Sequence, residues 1–373
     1  MTKEPIRVLH VIGVMNRGGA ETMIMNLYRN IDRRKIQFDF VVHTSEKAAF
    51  DTEIIELGGR IYHCPKFNVR NFFSYEKWWS NFWQNEGKEY EIVHGHIGST
   101  AAIYLKIAKK YGKYTIAHSH SAGVSHNVKG MLYKIISYNT RNVADYFFAC
   151  SQEAGLKRFG KKVCSGDINF RILHNAIDTK LFRFNSEVRD YEREQLRVAK
   201  EDFLVGHVGR FTAEKNHTFI LDVFKTILDK KKNSLLILVG DGPLRKSIEN
   251  KARDIGIENR VVFLGVRSDV NALMQAMDVL VFPSLYEGLP LTMIEAQASG
   301  LPIVVSDRVS AECICTNKLV TRLSLEDSAT KWAEEILNKC DTARADYREE
   351  IAAAGYDIAP AAEELQRFYL MRV

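Results

Sequence analysis

Two carboxylates, two cations and two imidazoles stand out as residues that could do chemistry. Glu287 and Glu295 lie in the stretch Asp278 to Asp307, DVLVFPSLYEGLPLTMIEAQASGLPIVVSD. Carboxylates accept hydrogen bonds from sugar hydroxyls, and a helix starting between them would turn its backbone N–H groups toward an anion. The bare spacing is common on protein surfaces. Its setting singles it out, because Gly288, Pro290, Gly300 and Pro302 punctuate the stretch. Arg210 and Lys215, in Gly209-Arg210-Phe211-Thr212-Ala213-Glu214-Lys215, can neutralise a pyrophosphate, Arg through paired bonds. His118 and His120 sit at i and i+2, where imidazole can bond a sugar hydroxyl or orient a nucleophile. Such a pair could also ligate a metal, but no third ligand is evident, and one of the two is expected to be structural. Gly18 and Gly19 remove side chains where backbone N–H groups could approach a diphosphate.

These residues need elements to hold them. Val279 to Phe282 reads as a buried strand, Pro283 to Pro290 as a loop, Leu291 to Ser299 as a helix closed by Gly300, and Ile303 to Val305 as a second strand. That is a βαβ unit, and its loop falls where open α/β sheets bind ligands. Strands at Arg7 to Ile12, Tyr114 to Ala117, Leu204 to Val208 and Leu235 to Val239 each deliver a candidate loop. Gly240 and Gly242 follow the last of these, and Val261 to Leu264 forms a further short strand with Leu264 at its end. Strand and helix alternate in both halves, which predicts two doubly wound domains. The charged run Glu187 to Glu201 reads as a solvated helix or linker, and Ala359 to Leu370 as a closing helix.

The 373 residues suit two domains, and 46% hydrophobic with 26% charged content is that of a soluble globular chain. No run approaches the roughly 20 apolar residues of a membrane span, and the N-terminal MTKEPIRVLHVIGV does not read as a signal peptide. Six scattered cysteines, with Cys313 and Cys315 the one close pair, fit reduced cytosolic thiols rather than a zinc site. Residues 1–185 carry roughly +11 and the rest roughly −5. No helix–turn–helix, RNP or zinc-finger pattern supports a nucleic-acid partner. The basic half, with Phe67, Phe72, Phe73, Trp78 and Trp83 interleaved with Lys66, Arg70 and Lys77, could instead meet an anionic membrane or pack its rings as core.

The string Glu287-Gly288-Leu289-Pro290 through Glu295 to Gly300-Leu301-Pro302 resembles the donor site of family-four glycosyltransferases. Gly209-Arg210 with Lys215 resembles that family's G-R-x4-K, and Asn175-Ala176-Ile177-Asp178 its interdomain N-G-I-D, with Ala176 in place of Gly. The opening VLHVIGVMNRGGAETMIMNLYRNID is similar to bacterial exopolysaccharide and capsule transferases. The resemblance implies an α/β protein of the GT-B fold, with two Rossmann-like domains facing across a cleft and a C-terminal helix crossing back to the first. It implies an acceptor domain over 1–182, a donor domain over 183–355 and the returning helix over 356–373. By matching positions, His120, Glu287, Arg210 and Lys215 are expected to be catalytic. Gly18, Gly19, Gly209, Gly240, Gly242, Leu264, Gly288, Leu289, Pro290, Leu291 and Glu295 are expected to join Arg210, Lys215 and Glu287 in binding the donor, with Glu295 on the ribose. His118 and His120 are expected on the acceptor side. The basic stretch Ser125 to Tyr138 resembles the acceptor region of members that use lipid-linked substrates.

The activity so implied is retaining transfer of a sugar, favouring a UDP-sugar donor, to a lipid-linked or polysaccharide acceptor. No D-x-D is present, so no metal or other cofactor is expected, and cations and N–H dipoles would hold the leaving diphosphate. The implied mechanism is same-face attack, the departing phosphate taking the acceptor proton. The location implied is the cytoplasm, peripheral to the inner membrane face. The other readings are a different GT-B enzyme, such as a nucleotide-sugar epimerase, or a non-catalytic nucleotide-sugar-binding partner of a membrane complex.

Overall fold

Every paired strand runs parallel to its neighbours in the computed structural model, which describes residues 4–120, 137–166, 169–287, 289–340 and 342–373. Parallel pairing needs a crossover between consecutive strands, and the intervening helices supply it while covering both sheet faces. The chain divides into two units, one of Met1–Ala176 with Ile358–Val373 and one of Ile177–Asp357.

The first unit is built on β1 (Ile6–Ile12), β2 (Ile36–Val42), β3 (Ile61–His63), β4 (Ile92–Gly95), β5 (Tyr114–Ser119), β6 (Tyr146–Ala149) and β7 (Phe170–Ile172). They lie in the order β3-β2-β1-β4-β5-β6-β7, so the order reverses between β1 and β4. Alternation along β1 sends Val8, His10 and Ile12 to one face and Leu9 and Val11 to the other. The first face is covered by the helices Gly19–Asn30 and Ile358–Leu370, with Phe38, Phe40, Phe368 and Tyr369 in the core. The second face packs on the helix Phe72–Gln84, which buries Tyr75, Trp79, Phe82 and Trp83. Most rings of the basic aromatic segment are therefore core. Phe73 is the exception at 82% exposed.

The second unit contains β8 (Phe203–Val208), β9 (Ser234–Val239), β10 (Val261–Gly265), β11 (Val279–Phe282), β12 (Ile303–Ser306) and β13 (Val320–Leu323). Their order is β10-β9-β8-β11-β12-β13, again reversing beside the first strand. Leu204, Leu280, Phe282 and Ile303 fill one core, and Val205, Leu236, Val281 and Trp332 the other. Gly300 ends the helix Leu291–Ala298 with φ +62°, a conformation that glycine adopts without strain. The charged run after Glu187 corrects one expectation. It forms the helix Ser186–Gln195, but Arg193 is buried, bonding Asp278 and the carbonyls of Ala199, Asp202 and Ala276. With Arg189, it fixes the start of β11 through Asp278, a role that its charged neighbours in sequence do not reveal.

Candidate active site

In the second unit, four loops meet at the carboxyl ends of β8 to β11. Gly209 N–H bonds Val239 O, Gly240 N–H bonds Gly265 O, Phe211 N–H bonds Asp241 O, and Leu285 N–H bonds Glu214 O. The glycines are required by this closeness. Gly240 has φ +132°, and a Cβ there would lie 2.1 Å from Gly209 O; one on Gly242 would lie 2.6 Å from Phe211 O. Asn216, itself left-handed at φ +57°, donates from Nδ2 to Pro283 O at 3.2 Å and ties the β8 loop to the β11 loop. Leu264, Leu289 and Leu291 pack their side chains on the core, so their backbone is what they offer a ligand. Pro290 stands just before the first turn of the helix Leu291–Ala298. Gly288 lies outside the described residues, as does Ser125 to Ile136 of the basic acceptor-side stretch.

Lys215 and Glu287 come together across these loops. Lys215 Nζ lies 2.5 Å from Glu287 Oε1, both side chains largely covered, and 4.9 Å from the Phe282 ring centre. The ammonium is thus held in place by a carboxylate and an aromatic face. Arg210, on the same loop, is exposed and makes no side-chain ion pair among the described residues. Glu295 differs from both. The residue is half-buried, and burial is the cause that pushes its pKa up to about 7. At neutral pH it is divided between an acceptor-only carboxylate and a carboxylic acid able to donate.

In the first unit, Gly18 is the cap residue of the helix Gly19–Asn30 and Gly19 its first residue. A Cβ on Gly18 would strike the Glu21 carboxylate at 2.3 Å, whereas Gly19 has open space around it. His118 is buried at the end of β5, and His120, just beyond, is less covered. The fold adds three imidazoles to this pair. His10 and His94 are register partners on β1 and β4, and His96 follows β4. His10 Nδ1 lies 2.9 Å from His96 Nε2, and His96 Nδ1 2.7 Å from His120 Nε2. His94 Nε2 lies 3.2 Å from His118 Nδ1, and His94 Nδ1 2.6 Å from the Tyr369 hydroxyl. Burial lowers the pKa of all five, His120 to about 4 and His10 to about 3, so every ring is neutral near pH 7.

The two-imidazole reading of the sequence thus missed three members of the group. A signal was present: His94-Gly95-His96 and His118-Ser119-His120 repeat one H-x-H pattern at the ends of strands, and period 2 puts both members of each pair on one face. The sequence also hid a cavity of about 980 Å³ beyond β1 to β4, lined by Gly13, His43, Cys64, Lys66, Phe67 and Trp78 among others. Its size and mixed lining suit a small-molecule ligand.

The sequence matches Glycosyltransferase Family 4 over residues 17–181 and Glycosyl transferases group 1 over residues 188–356. It is 36% identical over 365 residues to the putative glycosyltransferase EpsF of Bacillus subtilis, covering 96% of this chain and 94% of that one. It is 26% identical over 240 residues to UDP-Gal:alpha-D-GlcNAc-diphosphoundecaprenol alpha-1,3-galactosyltransferase of Escherichia coli, covering 62% of this chain and 61% of that one. Among solved structures, Anabaena HepE in complex with UDP superposes with a TM-score of 0.80 at 18% identity, covering 98% of this chain and all of the other. Two parallel Rossmann-like sheets, the converging loops after β8 to β11 and near full-length likeness to EpsF lead to one assignment: the chain belongs to the family 4, group 1 glycosyltransferases and has the GT-B fold.

Proposed function

We propose that this glycosyltransferase moves a sugar from a UDP-sugar to a lipid-linked or polysaccharide acceptor in bacterial surface polysaccharide synthesis, with retention of configuration. The observation that carries the donor half is the Lys215–Glu287 pair at the mouth of the converging glycine loops. A diphosphate entering there would meet Lys215, Arg210 and the backbone N–H groups at the start of the helix after Pro290. Together these offset leaving-group charge with no cation bridging the phosphates. Glu287 would orient the sugar and Glu295 the ribose hydroxyls. His120, a neutral imidazole, would position the reacting hydroxyl, and the departing phosphate would take its proton as the new glycosidic bond forms on the same face.

The relatives support this choice of base and acceptor. HepE binds UDP, and the E. coli relative is named for a diphosphoundecaprenol acceptor. The 980 Å³ cavity, apolar at Phe67 and Trp78 and cationic at Lys66, fits a sugar with an apolar and anionic aglycone. The exposed ring of Phe73, with Lys66, Arg70 and Lys77 exposed around it, supports peripheral attachment to an anionic membrane. No helix among the described residues is long and apolar enough to cross one.

A thermal-shift and hydrolysis panel of UDP-, GDP-, ADP- and dTDP-sugars in EDTA, on wild type and Glu295→Ala, tests the reading. Stabilisation by the uridine compounds alone, lost in the variant, supports it. No shift with any nucleotide sinks it. An α-linked product from an α-linked donor supports retention, and a β-linked product refutes it.

A further inference from the structure

The five-histidine group lies in the first unit and is not needed for handling the diphosphate, and a cation bound there would take up the ring nitrogen that His120 otherwise offers the acceptor hydroxyl. We propose that His96, His118 and His120 form a binding site for a divalent transition cation of the zinc class, with His10 and His94 orienting the ligating rings.

The first argument is convergence. One ring nitrogen from each of His96, His118 and His120 lies within 4.8 Å of the other two. Zinc held by imidazoles at about 2.0–2.1 Å in a tetrahedron places its ligand nitrogens about 3.3 Å apart. The 2.7 Å between His96 Nδ1 and His120 Nε2 would open by about 0.6 Å to accept the ion, a movement that small ring rotations supply.

The second argument is the outer partners. A ligating imidazole characteristically has its other ring nitrogen hydrogen-bonded, which fixes its tautomer and orientation. His96 Nε2 faces His10 Nδ1, leaving Nδ1 for the ion, and His118 Nδ1 faces His94 Nε2, leaving Nε2. His94 is anchored in turn by the Tyr369 hydroxyl on the C-terminal helix. In the ligating state, His96 Nε2–H donates to His10 and His118 Nδ1–H donates to His94. All five rings remain neutral and no proton need leave. His118 Nε2 is buried and has no hydrogen-bond partner among the described residues, an expense that the ion would relieve.

The third argument is ligand chemistry. Neutral imidazole is the form that binds metal, and nitrogen ligands alone select zinc, copper, nickel or iron over magnesium or calcium. Three imidazoles also leave a fourth position for an oxygen ligand. The sequence offered no third ligand beside His118 and His120, because the other rings come from β1 and β4.

The test uses tag-free full-length protein stripped with EDTA, titrated with Zn2+ by calorimetry and with Co2+ by visible absorption. One equivalent of Zn2+ should bind with Kd below about 1 μM. Co2+ should give d–d bands without the charge-transfer band of thiolate ligation. H120N and H118N should abolish binding, and H94N, which touches only an outer partner, should weaken it about ten-fold or more. Circular dichroism establishes that each variant is folded. If H118N and H120N do not fold, the wild-type Co2+ spectrum and H94N decide. Zn2+ binding that is weak in wild type, unchanged in the folded variants, or accompanied by thiolate charge transfer overturns the proposal.

Discussion

Lys215 and Glu287, on loops that leave β8 and β11, form a 2.5 Å ion pair in which the carboxylate sets the position of the ammonium. Their coupling makes two kinds of loss separable. Lys215→Met should lower kcat about 10²–10³-fold, the scale of removing one preorganised charge stabiliser. It also leaves the Glu287 carboxylate partly buried without its partner, costing about 1–3 kcal/mol of stability. The double variant K215M/E287Q should recover most of that stability while transfer stays lost. Urea melts of the single and double variants measure the first effect, and sugar transfer the second. Equal stability losses in single and double variants would show that the pair is not coupled.

Glu295 makes a prediction in pH. Its folded pKa of about 7 stands above the ordinary 4.5, so between these values the folded protein holds a proton that the unfolded chain releases. Stability therefore falls as pH rises through this window, by up to about 3 kcal/mol once the carboxyl is fully ionised. Glu295→Gln cannot ionise and should lose that slope, becoming the more stable protein above neutrality. Melting temperature against pH for the two proteins checks it. Parallel curves would mean that the carboxyl is not desolvated as its burial indicates.

Much of this was legible from one sequence. The unit from Val279 to Val305 carries its strand, loop, helix and strand in local signals: a β-branched run, prolines, then Gly300. What escaped depends on distant partners. Arg193 looks solvated until Asp278, from the following βαβ crossover, arrives beside it. The strand Val320–Leu323 is short and not strongly apolar, and only pairing with β12 defines it. The histidine group draws one residue from β1 and two from each of two later strand ends, and the repeated H-x-H pattern does not by itself say that they meet. Glu295 could be located by its spacing, yet its raised pKa is a property of packing.

The glycines divide into those the fold needs and those a ligand would need. Gly240→Ala places a Cβ against Gly209 O in a backbone conformation unfavourable to alanine, and should cost more than about 2 kcal/mol. Gly19→Ala meets no atom within 4 Å and should leave stability unchanged or slightly raised. If Gly19 is where a diphosphate approaches the helix N-terminus, the alanine variant should raise KM for the nucleotide-sugar while melting normally. An unaltered KM would remove Gly19 from the donor site.

Phe73 tests membrane attachment without disturbing the core. Its neighbours on the helix Phe72–Gln84, Tyr75, Trp79, Phe82 and Trp83, are buried, so substituting them would unfold the unit before it informed on lipid. Phe73 is 82% exposed and can be replaced at little structural cost. Wild type should sediment with vesicles containing anionic lipid and not with neutral ones, because each exposed Lys or Arg near such a surface contributes about 1 kcal/mol. Phe73→Ser should weaken that binding several-fold through lost apolar insertion. K66S/R70S/K77S should weaken it further and remove its dependence on salt. Binding unaffected by either change would assign attachment to another surface. No binding by wild type would leave Phe73 as an exposed ring with no lipid partner.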